Sequence, residues 1–155
     1  MGHLTIYGAG VFGLSIAWTA LMRGREVTVI DPNGPGSGAS GGVVGALQPH
    51  TPDPWNDKKQ FQLESLLMAP NFWAEVEAAS GIPTGYAPVG RLCPLQTERD
   101  VDLAQIRTSA VAKRWPKDKV WEVITQPDSD WVPPSPTGFF LHDTLFCHSE
   151  PPTRR

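Results

Sequence analysis

At 155 residues, with 40% apolar and 19% charged side chains, the chain has the size and composition of one ordinary globular domain with a buried core. A net charge of −3, with no basic cluster beyond Lys58-Lys59 and Arg154-Arg155, argues against nucleic acid or an anionic membrane as partner. Cys93 and Cys147 match no metal spacing, and Arg23–Glu26 interrupts the first apolar run too early for a signal peptide or a membrane span, so a reducing, cytoplasmic setting is expected.

The first elements are the most informative. An apolar run from Leu4 to Tyr7 leads into Gly8-x-Gly10-x-x-Gly13, a helix-compatible stretch over about 11–23, and a β-branched run, Val27–Ile30, closed by Asp31. This predicts a strand–helix–strand unit with parallel strands and the dinucleotide-binding fingerprint at its first turn. Gly8 serves the sharp turn, Gly10 the close approach of a pyrophosphate, and Gly13 the packing of helix on sheet. The helix N-terminus, with Val11 and Phe12 in its first turn, offers amides and a partial positive charge to phosphate. Asp31, 18 residues beyond Gly13, can accept from a ribose 2′-hydroxyl. Val11, Leu14, Ala17, Trp18 and Leu21 recur at helical spacing and are expected to face the sheet.

Residues 32–54 are rich in glycine and proline yet apolar at Val43-Val44 and Ala46-Leu47, which predicts a loop packed against something. From Asn56 to Ser80 the pattern is helical, with Phe61, Leu63, Leu66, Leu67, Phe72, Trp73 and Val76 as a candidate buried stripe. Pro70 is expected to divide it into helices near 56–68 and 70–79, with Gly81 after the last turn. A strand over Val89–Leu95, a helix over about 98–114 capped by Thr97, and a strand over Val120–Ile124 follow. Beyond these the proline-rich sequence loses periodicity.

The second glycine-rich segment, Gly38-Ala39-Ser40-Gly41-Gly42-Val43-Val44-Gly45-Ala46-Leu47, suits a cofactor that extends across the domain. Together with the fingerprint it resembles the D-amino-acid oxidase-like family of FAD-dependent oxidoreductases. The resemblance implies an α/β fold, namely a Rossmann-like FAD/NAD(P)-binding βαβ unit with the start of a second, α+β substrate domain. It implies FAD as cofactor, held by Gly8, Gly10, Val11, Phe12, Gly13, Asp31, Pro32, Ala39, Ser40, Gly45 and Leu47. Asp31 stands where the family more often has glutamate. Gly85-Tyr86, Gly90-Arg91-Leu92 and Gly138 with Phe139–Leu141 are similar to strands of the family's substrate domain. Members run to well over twice this length, so the chain is expected to be incomplete: residues 1–84 as part of an FAD-binding domain, 85–146 as a partial substrate domain, and 147–155 as a disordered tail. A complementary chain or a second copy is the expected macromolecular partner, and an amine or amino acid the expected small-molecule substrate.

His50 is either a proton-transfer group near the flavin or a loop histidine bonding the backbone. Arg91 is either a carboxylate ligand for substrate or a surface or domain-bridging arginine. Trp55, Trp73, Trp115, Trp121 and Trp131 are expected in packing. His142-Asp143 forms no recognisable triad, and His3 and His148 fall in no metal pattern, so no metal site and no acid–base residue is assigned. Three functions remain open: an FAD-dependent amine or amino-acid oxidoreductase; an inactive nucleotide-binding remnant or one subunit of a split flavoenzyme; and the flavin domain of a tRNA wobble-uridine modifying enzyme, whose loop is similar to Ala39–Leu47. The lack of a basic face weighs against the last.

Overall fold

A computed structural model describes residues 2–42, 44–144 and 146–149, with the side chains of His148 and Ser149 left aside. The chain divides into two compact units, Met1–Gly45 and Ala46–Arg155, a boundary well before the expected one at residues 84/85.

The first unit is the predicted βαβ. Strand β1 (Leu4–Tyr7) runs into helix α1 (Val11–Met22), which returns to strand β2 (Val27–Ile30). β1 and β2 pair in parallel, Leu4 opposite Val27 and Tyr7 opposite Ile30. Gly8 sits at φ 103°, a conformation that strains any side-chain-bearing residue, and so lets the chain leave β1 sharply. α1 carries no charged residue along its length, yet only Ala17 is buried. Val11, Leu14 and Leu21, expected against the sheet, are largely exposed, as are Tyr7, Phe12, Ile16 and Met22. A two-stranded sheet is too narrow to cover a helix that is apolar all round, and parallel sheets normally bury both faces.

β3 (Gly45–Leu47) starts on the last residue of the first unit, and the second unit continues with helix α2 (Asp57–Ser80), β4 (Tyr86–Ala87), β5 (Arg91–Pro94), helix α3 (Glu98–Val111), β6 (Trp121–Ile124), β7 (Phe140–Asp143) and β8 (Cys147–Ser149). β8 lies between β3 and β4 in one sheet, and β7 lies between β5 and β6 in another. β4 pairs antiparallel with β8, so Cys147–Ser149, expected in a disordered tail, form a strand; residues 150–155 lie outside the described set. In the second sheet both pairings are antiparallel, with Arg91 and Trp121 flanking Asp143 and with Leu92 and Glu122 flanking His142.

α2 starts where Asn56 accepts from the Lys59 amide at 3.1 Å and ends at Gly81 in the left-handed region. It is one helix through Pro70, not two. An interior proline forfeits one backbone hydrogen bond and crowds the preceding turn, a cost of about 3 kcal/mol. Buried Leu63, Leu66 and Ala69 on one side of it and half-buried Trp73 and Val76 on the other offset that cost. Phe61 and Leu67, expected in the buried stripe, are exposed.

The core joins Leu63 and Leu66 of α2, Val101, Ala104 and Val111 of α3, and Leu95, Trp115, Trp121 and Leu141. Trp115 and Trp121 meet edge to face at 5.8 Å, and the Trp121 indole donates to the Ala104 carbonyl. Trp131, by contrast, is 74% exposed and packs in no core. Thr97 and Asp100 form a reciprocal capping box at the start of α3. Thr97→Ala is expected to cost about 1 kcal/mol in urea unfolding, since it orphans the Asp100 amide.

Candidate functional site

The glycine loop is set by its strands before any helix residue contributes. The Gly8 amide donates to Ile30 O at 2.8 Å, extending the parallel pairing one step past β1. Gly13, in the first turn of α1, packs so tightly on the end of β1 that a Cβ there would lie 1.9 Å from Gly8 O. The predicted role of Gly13 in close helix–sheet packing is thus visible as a backbone contact.

Ala9 is buried and bonded on both sides. Its amide donates to Asp31 Oδ2 at 2.9 Å, and its carbonyl accepts from the Gly36 amide at 2.9 Å. Asp31 Oδ1 accepts from the Asn33 amide at 2.9 Å. The acid that ends β2 is therefore turned toward the glycine loop as well as its own turn. The Ala9 amide above all, then that of Asn33, holds the Asp31 carboxyl below its ordinary value of 3.8. A lowered carboxylate contributes stability that is complete above the unfolded-state value, near pH 4, and is lost as pH falls through the folded one. The Ala9 and Asn33 amide resonances are accordingly expected to stay constant from about pH 7 down to about pH 5 and to move only below about pH 4.

The second glycine-rich segment returns to the same place. Ser40, in a single 3-10 turn at Ala39–Gly41, accepts through Oγ from the Val11 amide at 2.9 Å, 29 residues away in sequence. The hydroxyl thus sits at the N-terminus of α1, where first-turn amides have no carbonyl of their own helix to bond. α1 has no acidic residue in its first turn to compete for that position. Gly8, Gly10, Val11, Phe12, Gly13, Asp31, Ala39 and Ser40 are brought together within the first unit; Pro32 follows Asp31 on the surface, and Gly45 closes the unit. Ala9, Gly36 and Asn33, which complete the hydrogen-bonded frame, are not apparent from motif spacing. The glycine density of residues 34–42 was the available signal.

The other candidates belong to the second unit. Leu47 is half-buried against its core. The His50 amide donates to Gln62 Oε1 at 2.7 Å, while Gln62 Nε2 donates to Gln48 O, so α2 pins this loop and leaves the imidazole-bearing residue exposed. Arg91 Nε donates to Asp143 Oδ2 at 3.0 Å, and the Asp143 side chain is fully buried. The guanidinium also lies 5.4 Å from the Phe146 ring centre. Arg91 borders a cavity of about 440 Å³ on the face of the second sheet that carries Leu92, Glu122 and His142. Glu122 and His142, directly opposite in register, approach to 3.1 Å. No group of three or more candidate metal ligands occurs among the described residues. No helix among them is long and apolar enough to cross a membrane.

The family described as FAD dependent oxidoreductase, DAO, matches residues 3–150. The tRNA 5-methylaminomethyl-2-thiouridine biosynthesis bifunctional protein MnmC of Shewanella amazonensis is 33% identical over 129 residues, 82% of this chain and 18% of that protein. The bifunctional protein ThiO/ThiG of Trichormus variabilis is 32% identical over 93 residues, 59% of this chain and 14% of its own length. Glycine oxidase from Bacillus cereus superposes with a TM-score of 0.69 at 21% identity, covering 94% of this chain and 40% of the oxidase. L-amino acid deaminase from Proteus vulgaris gives 0.64 at 20% identity, covering 98% and 36%. The two solved structures share the fold; this chain spans under half of each of them and a smaller share of the curated relatives.

Proposed function

The chain belongs to the DAO family of FAD-dependent oxidoreductases, and from that membership we propose that it carries the dinucleotide-holding part of an enzyme that oxidises the C–N bond of an amino acid or related amine. The observation that carries this reading is the meeting of Ser40 with the Val11 amide at the head of α1, beside a glycine loop whose Gly10 bears no side chain. That constellation suits a pyrophosphate: donors converge, and no carboxylate stands in the first helical turn. The first-turn amides of Phe12 and Gly13 and the hydroxyl proton of Ser40 would take phosphate oxygens, the Val11 amide being held by Ser40 Oγ. Gly8, Asp31, Pro32, Ala39 and Gly45 would shape the path of the cofactor beside them. FAD, when bound, supplies the hydride acceptor for the oxidation.

His50 and Arg91 are weaker substrate candidates. His50 presents an exposed ring, and Arg91 already serves the buried Asp143. The exposed Tyr7, Phe12, Ile16 and Met22 support association with further parts of the fold, on a complementary chain or a second copy. A cytoplasmic setting fits the two cysteines, which are not joined to each other.

The name and extent of the Shewanella match favour a second reading, in which the amine is carried on a tRNA. One experiment addresses both. The purified chain is titrated with FAD and followed by its visible spectrum, then mixed without oxygen with an amino-acid panel and, separately, with tRNA bearing an aminomethyl-type wobble uridine. Flavin bands approaching one per chain support the cofactor reading, and bleaching by free amino acids supports the first substrate class. Bleaching by tRNA alone supports the second. A chain that is colourless after incubation in saturating FAD and removal of the unbound flavin overturns both and leaves a remnant without cofactor.

A further inference from the structure

We infer that Asp31 is a positioning residue for the phosphate-facing loop: its carboxylate holds the Gly8–Gly13 amides in place through Ala9, whatever it contributes to a ribose. The inference rests on the reading that a dinucleotide pyrophosphate binds at this loop, and deepens it. Ala9 lies between the left-handed Gly8 and Gly10, the residue that precedes α1, so its peptide orientation sets the direction in which the following amides point. Three contacts fix that peptide or its neighbour: Ala9 N–H to Asp31 Oδ2, Gly36 N–H to Ala9 O, and Gly8 N–H to Ile30 O.

Only the first of these comes from a side chain, and it spans 22 residues of sequence. The other carboxylate oxygen takes the Asn33 amide, and the Gly34 amide and Ser37 hydroxyl also bear on the group. A carboxylate has about four acceptor positions. The loops of the chain itself therefore already use both carboxylate oxygens of Asp31.

This arrangement has a consequence whose sign separates it from simple ribose recognition. A negative charge beside an anion site repels the anion. If Asp31 served the ribose alone, removing its charge would leave inorganic pyrophosphate bound as well as before, or better. If Asp31 positions the loop, its removal weakens pyrophosphate too, because the amides lose their common aim. A hydrogen bond to a charged group is strong enough for that loss to reach about tenfold.

The test uses the full chain and its Asp31→Ala and Asp31→Asn variants. Each is titrated with inorganic pyrophosphate, ADP and FAD, and the amide resonances of Gly8, Gly10 and Gly13 are followed by NMR. The expected result is pyrophosphate binding by the wild-type chain, about tenfold weaker in Asp31→Ala. Asp31→Asn is expected to be intermediate, because its carboxamide oxygen still accepts from Ala9 while its NH₂ faces the Asn33 amide. If Asp31→Ala does not fold, Asp31→Asn carries the comparison, and any weakening of pyrophosphate there supports the inference. Pyrophosphate affinity unchanged or raised in Asp31→Asn, with ADP affinity lowered, overturns it. Failure of the wild-type chain to bind pyrophosphate also overturns it, since the loop is held before any ligand arrives. Wild-type binding of pyrophosphate without FAD binding would instead sink the cofactor reading and leave the role of Asp31 in the loop standing.

Discussion

Gly13→Ala is expected to destabilise the first unit by about 3 kcal/mol, at the upper end of what overpacking normally costs. The new methyl would sit 1.9 Å from Gly8 O, a backbone atom that cannot rotate away. Relief requires α1 to lift from β1 or the loop to abandon the turn that Gly8 permits. Either movement also disturbs the Ala9–Asp31 contact, so dinucleotide binding should fall with the fold. Amide exchange along β1 and β2, with the thermal midpoint of the chain, measures the effect; protection equal to wild type would refute it. Gly10 provides the contrast. A Cβ there would lie 3.1 Å from Ser40 Oγ, a side-chain atom able to turn aside. Gly10→Val should therefore keep the exchange pattern of β1 and β2 while losing FAD and pyrophosphate binding, because the added bulk stands where phosphate must approach the backbone. The two substitutions, three residues apart in one motif, separate folding from binding.

The second large effect is expected in the other unit. Asp143→Ala should cost about 3–5 kcal/mol in urea unfolding, the usual result of stripping one partner from a buried ion pair. Asp143 is fully buried at the end of β7, between Arg91 of β5 and Trp121 of β6, whereas the Arg91 side chain is 19% exposed. Arg91→Met alone leaves a carboxylate in the core with its guanidinium gone and should be similarly costly. The double variant Arg91→Met, Asp143→Leu removes both charges together and should cost less than the two single losses summed, because neither charge is left without the other. Full stability in Arg91→Met would show that the arginine is not committed to Asp143 and would return it to the substrate candidates. The expected instability makes its main task the fastening of β5 to β7.

Local chemistry was enough to read the elements whose signals lie within a dozen or so residues of one another. The β1–α1–β2 unit followed from two β-branched runs, three glycines and an acid at the right distance. The start of α3 followed from Thr97, and the end of α2 from Gly81. Each rests on a hydrogen bond or a backbone conformation decided within one turn, so the residues present leave few alternatives. The approach of Ser40 to the fingerprint was also legible, because both motifs recur together in one family.

Tertiary structure decided what depends on partners far along the chain. Pro70 reads locally as a helix break, and α2 continues only because apolar residues on both sides are anchored in a core. β4 and β8 are short and weakly patterned; they exist as strands through pairing Tyr86 with Ser149 and Ala87 with His148. Arg91 reads equally well as a substrate ligand or a surface charge, and its bond to Asp143, 52 residues later, reveals the strand fastening. Asp31 carries the same lesson within the site. Sequence spacing placed an acid at the end of β2, but the direction of its carboxylate, toward Ala9, follows from how two loops close on each other. The residue types and their intervals determined that a dinucleotide fingerprint is present. The side chains that hold it in shape were decided by contacts between segments whose separation in sequence leaves no periodic trace.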